Sequence, residues 1–241
     1  MPIFLGNQQI GLASLGSLPV SNIQSAPNVF LVTDSVQMFF DASDWNGSSS
    51  TLLGRYSNST ASLSSVTAGV SSSLNFTTSS TLTTTASANT NPTQATTSTI
   101  FAIYAQSGSE ADYHGRLLNS IGTNWLFGTY GGAGPGGGPE KNYAWFNNQF
   151  IIESGSYDTN WHMMVGIRHN ASSASVYIDN VYNTGSLQSN SGFSGLAVNR
   201  GQFIPSEFTQ ANLGVFGVYN KELSPDEINQ IYQFYQSRFE L

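Results

Sequence analysis

Through most of the chain, apolar and polar positions alternate with the period of two that marks half-buried β-strands. The clearest case is Trp161-His162-Met163-Met164-Val165-Gly166-Ile167, which puts Trp161, Met163, Val165 and Ile167 on one face. A turn at Asn170-Ala171-Ser172 leads to a second strand, Ser175 to Asn180. Val36 to Ala42 reads as an opening strand, and Ile100 to Ala105 as an apolar core strand. Further strands are read at 115–120, 124–130, 143–146 and 149–152, the last two around an Asn147-Asn148 turn. Ser71 to Thr99 is rich in Ser and Thr, with Leu74, Phe76 and Leu82 as apolar anchors. The recurring anchors favour two long strands there over a stalk. The period changes only at the C-terminus, where the apolar run Leu213 to Tyr219 meets a marked helix start. Ser224 is an N-cap, Pro225 takes the first helical position and Glu227 completes a capping box. Leu223 and Ile228 have the spacing of a hydrophobic staple.

The first 24 residues stand apart. Leu5-Gly6-Asn7-Gln8-Gln9-Ile10 recurs ten residues later as Leu15-Gly16-Ser17-Leu18-Pro19-Val20, each copy reading L-G-x-x-x-[IV]. Such pieces cannot bury themselves alone, so Leu5, Gly6, Ile10, Leu15, Gly16 and Val20 form a candidate attachment or oligomerisation segment. A plain hairpin packed on its own domain is the alternative. Ser21 to Asn28 reads as a linker, giving two units, 1–24 and 29–241.

The C-terminal block fits Y-N-x-x-L-S-x-x-E-I, from Tyr219 to Ile228. It resembles the closing strand and helix of laminin-G-like, concanavalin A-like jelly rolls. The opening Phe40-Asp41-Ala42 and the Trp161-His162 and Tyr177-Ile178-Asp179-Asn180 strands resemble other blocks of that family. The resemblance implies an all-β, two-sheet antiparallel jelly-roll sandwich with a C-terminal helix and a short N-terminal extension. That fold carries lectins, glycosidases and structural modules alike, so it does not by itself assign a function. The leader repeat, in turn, resembles the N-terminal leaders of phage and prophage structural proteins.

Composition narrows the classes. The chain has 241 residues, no cysteine, 9% charged residues and a formal net charge of −7. Disulfides, thiolate metal sites and a cysteine nucleophile are excluded. Nucleic-acid binding calls for clustered Lys and Arg, whereas the seven basic residues here are scattered. No run approaches the ~20 apolar residues of a membrane-spanning helix. Met1 to Gly6 lacks the basic and apolar regions of a secretory signal, although Ser, Thr, Asn and Gly dominate as in extracellular proteins. Together these point to a particle assembled in the host cytoplasm and released by lysis.

Candidate chemistry is sparse. Glu110-Ala111-Asp112-Tyr113-His114 approaches the E-x-D-x-[x]-E strand of laminarinase-type glycosidases. The third acid is missing, so the pair of carboxylates about 5 Å apart that a retaining mechanism uses is not formed. Gly132 to Gly137 spells G-x-G-x-x-G, but Pro135 and Pro139 forbid the helix that a dinucleotide site needs. His114, His162 and His169 have no metal spacing, and His162 and His169 have no acidic neighbour evident in sequence. Asp41 with Asp44 offers oxygen ligands for Ca²⁺, or Asp44 caps the turn Asp44-Trp45-Asn46-Gly47. No metal or other cofactor is expected.

Sugar recognition uses aromatic faces with Asp, Asn or Arg beside them. Trp125, Tyr130, Tyr143 and Trp145 flank the glycine loop, with Asp112 and Arg116 upstream. These six are the candidate glycan groove, or else the rings fill the core. The expected function is that of a non-enzymatic virion structural protein in the tail, fibre or capsid surface. It would contact other virion proteins, or copies of itself, through the N-terminal segment and present a glycan-binding sandwich to the host. A soluble or secreted lectin is the alternative, and a glycan hydrolase a weaker one. Neither nucleic acid nor membrane is an expected partner.

Overall fold

The computed structural model describes residues 3–5, 8–10, 32–56, 59–84, 97–107, 116–120, 124–130, 142–147, 150–154, 158–170, 173–186, 195–200 and 208–241. Of these, 3–5, 8–10, 129–130, 142–147, 150–154 and 183–186 are described by backbone alone.

At the N-terminus β1 (Ile3–Leu5) pairs antiparallel with β2 (Gln8–Ile10), with Ile3 opposite Ile10. The pairing therefore sets Leu5 and the end of the first L-G-x-x-x-[IV] copy, Gln8 to Ile10, together with Ile3 and Phe4, which precede that copy. The second copy, with Leu15, Gly16 and Val20, lies outside the described residues.

The body begins with β3 (Val36–Asp41), β4 (Thr51–Leu53), β5 (Thr60–Ser64) and β6 (Thr67–Ala68). Then come β7 (Leu74–Phe76), β8 (Thr81–Thr84), β9 (Ser98–Gln106) and β10 (Leu118–Ser120). β11 (Trp125–Tyr130), β12 (Asn142–Asn147), β13 (Phe150–Ser154) and β14 (Trp161–Arg168) follow. The chain closes with β15 (Ser173–Ile178), β16 (Val181–Ser186), β17 (Leu196–Val198), β18 (Ala211–Tyr219) and α1 (Pro225–Phe239). Two antiparallel sheets result. One runs β13-β12-β11-β10-β17-β8-β5-β4. The other runs β16-β15-β14-β9-β18-β7-β6, with β3 also paired to β18. Stacked face to face, they make an all-β sandwich with one C-terminal helix.

Two apolar layers hold it. Between the sheets, Phe40, Phe76, Leu82, Tyr104, Trp125, Phe127 and Phe216 are buried together. On the outer face of the second sheet, Phe39, Phe101, Met163, Val165, Ile167 and Val215 pack against Ile228, Ile231, Tyr235 and Phe239 of α1. The alternation of β14 thus serves the helix layer, while the intervening Met164 serves the layer between sheets. Ser224 caps α1 with a complete capping box. Leu223 and Ile228 are both buried, as the staple spacing predicts.

The stretch 71–99 differs from expectation. Leu74, Phe76 and Leu82 are buried anchors, but β7 and β8 are only three and four residues long. Left-handed backbone at Ser71 and Ser72 breaks the chain just before β7. The Ser72 and Ser71 carbonyls are then free to accept from Arg238 at 2.7 and 3.0 Å.

Candidate functional site

Three polar clusters stand out among the described residues, and each joins different elements of the sandwich. The first centres on Asp41, which is buried. Its Oδ1 accepts from Arg238 Nη1 at 2.6 Å and from the Ser43 amide at 2.9 Å. Its Oδ2 accepts from Tyr235 Oη at 3.0 Å and faces Arg55 Nη1 at 2.8 Å. Arg55 also holds Asp44 in a two-pronged grip, at 2.8 and 2.7 Å. Burial pushes the Asp41 carboxyl up, but the Arg238 hydrogen bond and charge bring it below the usual carboxylate range. Burial next to Asp41 pushes the Tyr235 phenol up. Asp41 and Asp44 are thus committed to arginines rather than set out as Ca²⁺ ligands. The turn after Asp44 is closed instead by Asn46, whose Oδ1 accepts from the Ser48 and Ser49 amides. This cluster ties α1 to the sheet.

The second cluster surrounds His162. Asp179 and Asn180 both adopt left-handed backbone and form the two-residue turn between β15 and β16, as tight hairpins require. Asp179 is bound to β14 in both directions. Its amide donates to the Met163 carbonyl, and its Oδ1 accepts from the Met163 amide, each at 2.9 Å. Its Oδ2 lies 2.6 Å from His162 Nδ1, while Asp158 Oδ1 lies 3.0 Å from Nε2. Burial opposes the charge on His162, but the two carboxylates outweigh it and raise the imidazole above its ordinary value. Asp158, only four residues from His162, is an acidic neighbour after all.

The third cluster is a chain of four side chains on the outer face. Glu222 Oε2 lies 2.9 Å from His169 Nδ1, and His169 Nε2 lies 2.6 Å from Ser175 Oγ. Ser175 Oγ lies 3.0 Å from Tyr182 Oη. Acid to Nδ1 and hydroxyl to Nε2 is the connectivity of an acyl-transfer triad. The surroundings are wrong for that chemistry. Ser175 is 1% exposed and sits mid-ladder, paired with Ile167 on one side and Thr184 on the other. Its backbone is committed to strand pairing, whereas a nucleophile needs access and nearby free amides to hold an oxyanion. The chain fixes Tyr182 in position instead.

Of the six residues of the candidate groove, the side chains of Trp125 and Arg116 are described, and both are buried. Trp125 is 2% exposed, lies in the layer between the sheets and stacks beside Phe127 at 6.2 Å. Arg116 is buried and donates from Nη1 to the Trp125 carbonyl at 3.2 Å. Both positions are part of the packed interior, where no sugar face reaches them. Backbone register sets Tyr130 opposite Asn142, Tyr143 opposite Thr129, and Trp145 opposite Phe127. Asp112, with the whole Glu110 to His114 stretch, and the glycine loop Gly131 to Pro139 lie outside the described residues. Among the described residues, no group of three or more His, Asp or Glu side chains is placed to hold a metal ion.

Sequence reasoning passed over Tyr182 and Glu222. The signal for Tyr182 was present, because a turn at Asp179-Asn180 sets it opposite Tyr177. The two rings do meet, at 5.1 Å between centroids.

Comparison with known proteins bears on the fold. No family model and no curated protein matches the chain. Solved structures do. The sandwich is similar to receptor-binding domains of botulinum neurotoxins. With that of the C/D mosaic serotype it shares 14% identity at a TM-score of 0.63, over 84% of this chain and 52% of that one. With the serotype D ligand-binding domain, solved in complex with N-acetylneuraminic acid, the TM-score is 0.62 at 14% identity. That match covers 83% of this chain and 51% of the neurotoxin chain. The chain thus spans about half the length of these neurotoxin domains, and at this identity the likeness concerns the fold.

Proposed function

We propose that this chain is a non-enzymatic surface module of a phage particle, anchored through its N-terminal repeat segment and presenting the sandwich to glycans of the host surface. The observation that carries the binding part is the fold match over more than four-fifths of the chain to domains described as receptor-binding or ligand-binding. The buried, ladder-bound Ser175 supports a non-catalytic reading of the one triad-like constellation. The particle part rests on the L-G-x-x-x-[IV] repeat and the uncharged, Ser/Thr/Asn/Gly-rich composition.

Quantitative mass spectrometry of purified particles tests it. The full-length chain is expected at a fixed, multiple copy number, and a chain lacking residues 1–24 is expected to be lost from particles. Absence of the full-length chain contradicts the particle assignment. Glycan binding without particle association would instead match a secreted lectin.

A further inference from the structure

The described residues with large apolar side chains open to solvent include Val181, at 64%, and Tyr182, at 53%. They are neighbours on β16, the edge strand of the helix-bearing sheet. An exposed tyrosine is ordinarily free to sample rotamers. Tyr182 is not: Ser175 binds its hydroxyl at 3.0 Å, and the half-buried Tyr177 ring flanks it at 57°. Ser175 is itself held by His169, and His169 by Glu222. Three hydrogen bonds thus run from a fixed, open aromatic ring to an open carboxylate. The hairpin beneath is pinned in turn, by the Asp179–Met163 pair and by Asn180, whose Nδ2 donates to Asn229 Oδ1 of α1 at 2.9 Å.

A rigid ring loses little conformational entropy on binding, so more of its contact free energy appears as affinity. Glu222 is 42% exposed on its side chain. Only its Oε2 takes up His169 Nδ1, and among the described residues Oε1 has no hydrogen-bond partner. A ring with an amphipathic face and an acceptor oxygen in one connected surface is the chemistry of pyranose recognition. The C–H face of one sugar of a glycan stacks on the ring, and hydroxyls of a further sugar along the glycan donate to the carboxylate. The charge at this surface also selects. Glu222 is an acid, and the neighbouring Lys221 is committed to Asp34 and Glu227. The bond from Arg168 Nε goes to the Asn170 carbonyl rather than to Glu222. A sugar carboxylate set against Glu222 Oε1 would meet repulsion at that oxygen.

We propose that the outer face at the β15–β16 hairpin is a binding site for neutral pyranose glycans, with Tyr182 as the stacking ring and Glu222, positioned through His169, as hydroxyl acceptor. This rests on the glycan-binding reading above and assigns it a place and a sugar class.

The test uses the full-length chain, biotinylated and tetramerised on streptavidin, on an array of neutral and sialylated glycans. Wild type is expected to be retained on neutral glycans. Tyr182→Ala should lower retention about tenfold, the scale of one well-packed ring. Tyr182→Phe, which keeps the ring, should lose far less. Glu222→Gln should weaken neutral-glycan retention and relax the exclusion of sialylated ones, while Val181→Ala leaves both unchanged. Melting curves run alongside, and Tyr182→Leu, which removes the aromatic face but keeps an apolar side chain, carries the comparison if Tyr182→Ala unfolds. Wild-type retention with Tyr182→Ala and Glu222→Gln equally retained overturns the site and leaves the glycan reading standing. A preference for sialylated glycans overturns the sugar class. No retention of wild type on any glycan overturns both the site and the glycan reading.

Discussion

Phe239, in the last turn of α1, lies directly on the α-carbon of Gly214 in β18. A β-carbon built at Gly214 would run into the Phe239 ring. The same ring meets Trp161 at 4.6 Å between centroids, and Arg238 lies 4.5 Å over it. The helix therefore reaches the sheet closely enough for an aromatic to sit on bare backbone. Gly214→Ala should cost roughly 1–3 kcal/mol, the usual effect of overpacking a filled core. In Gly214→Ala/Phe239→Leu the loss should be smaller than the sum of the single losses, because the two positions share one space. Chemical denaturation of the four proteins measures this, and strict additivity would mean that Phe239 does not rest on Gly214.

The helix cap gives an independent check on docking. Ser224→Ala removes the acceptor for the Glu227 amide and should cost about 1 kcal/mol. Ile228→Ala empties a fully buried position and should cost about 2–5 kcal/mol. Thermal melts that rank the two in the opposite order would place the main support of α1 in its cap rather than its apolar face.

Much of this was legible in the sequence, for a physical reason. Strand period, capping box and staple are local, and the helix start from Leu223 to Ile228 carries its own geometry in a handful of neighbours. The pairing of Tyr177 with Tyr182 was also local, encoded by the Asp179-Asn180 turn. The fate of Trp125 was not. An aromatic on a strand reads the same whether its face turns to solvent or to the opposite sheet, and only sheet stacking decides. Asp41 looked like an oxygen ligand beside Asp44 because its partners, Tyr235 and Arg238, stand 194 and 197 residues away. Glu222 likewise meets His169 across 53 residues. Long-range polar pairs carry no periodic signature.

The Asp41 cluster predicts sensitivity to acid. The Asp41 carboxyl is lowered in the folded protein, chiefly by Arg238 working against burial. Its contribution is therefore complete above the unfolded value near 3.9 and is lost as pH falls through the lowered folded value. Asp41→Asn should cost about 3 kcal/mol near neutrality, since it leaves Arg55 and Arg238 without their shared buried carboxylate. It should also flatten the acid limb of a stability–pH profile. An acid limb unchanged in Asp41→Asn would assign that limb to other carboxylates.

His162 acts on the other side of the profile. Its imidazole is raised above the ordinary value by Asp179 and Asp158 against the effect of burial. The stabilisation is fully present below the unfolded value near 6.5 and is lost as pH rises through the raised folded value. Stability should thus fall across neutral to mildly alkaline pH in the wild type, and this fall should be absent in His162→Gln. Titration of the His162 ring by NMR, with a pKa at or below that of a free imidazole, would contradict the assignment.

Retention of the tetramerised chain on a glycan array tests the central claim most directly. One stacked ring binds weakly, and copies held together gain by effective concentration. The account predicts that the tetramer is retained on neutral glycans that the monomer releases. A tetramer that washes off every glycan as readily as the monomer would contradict it.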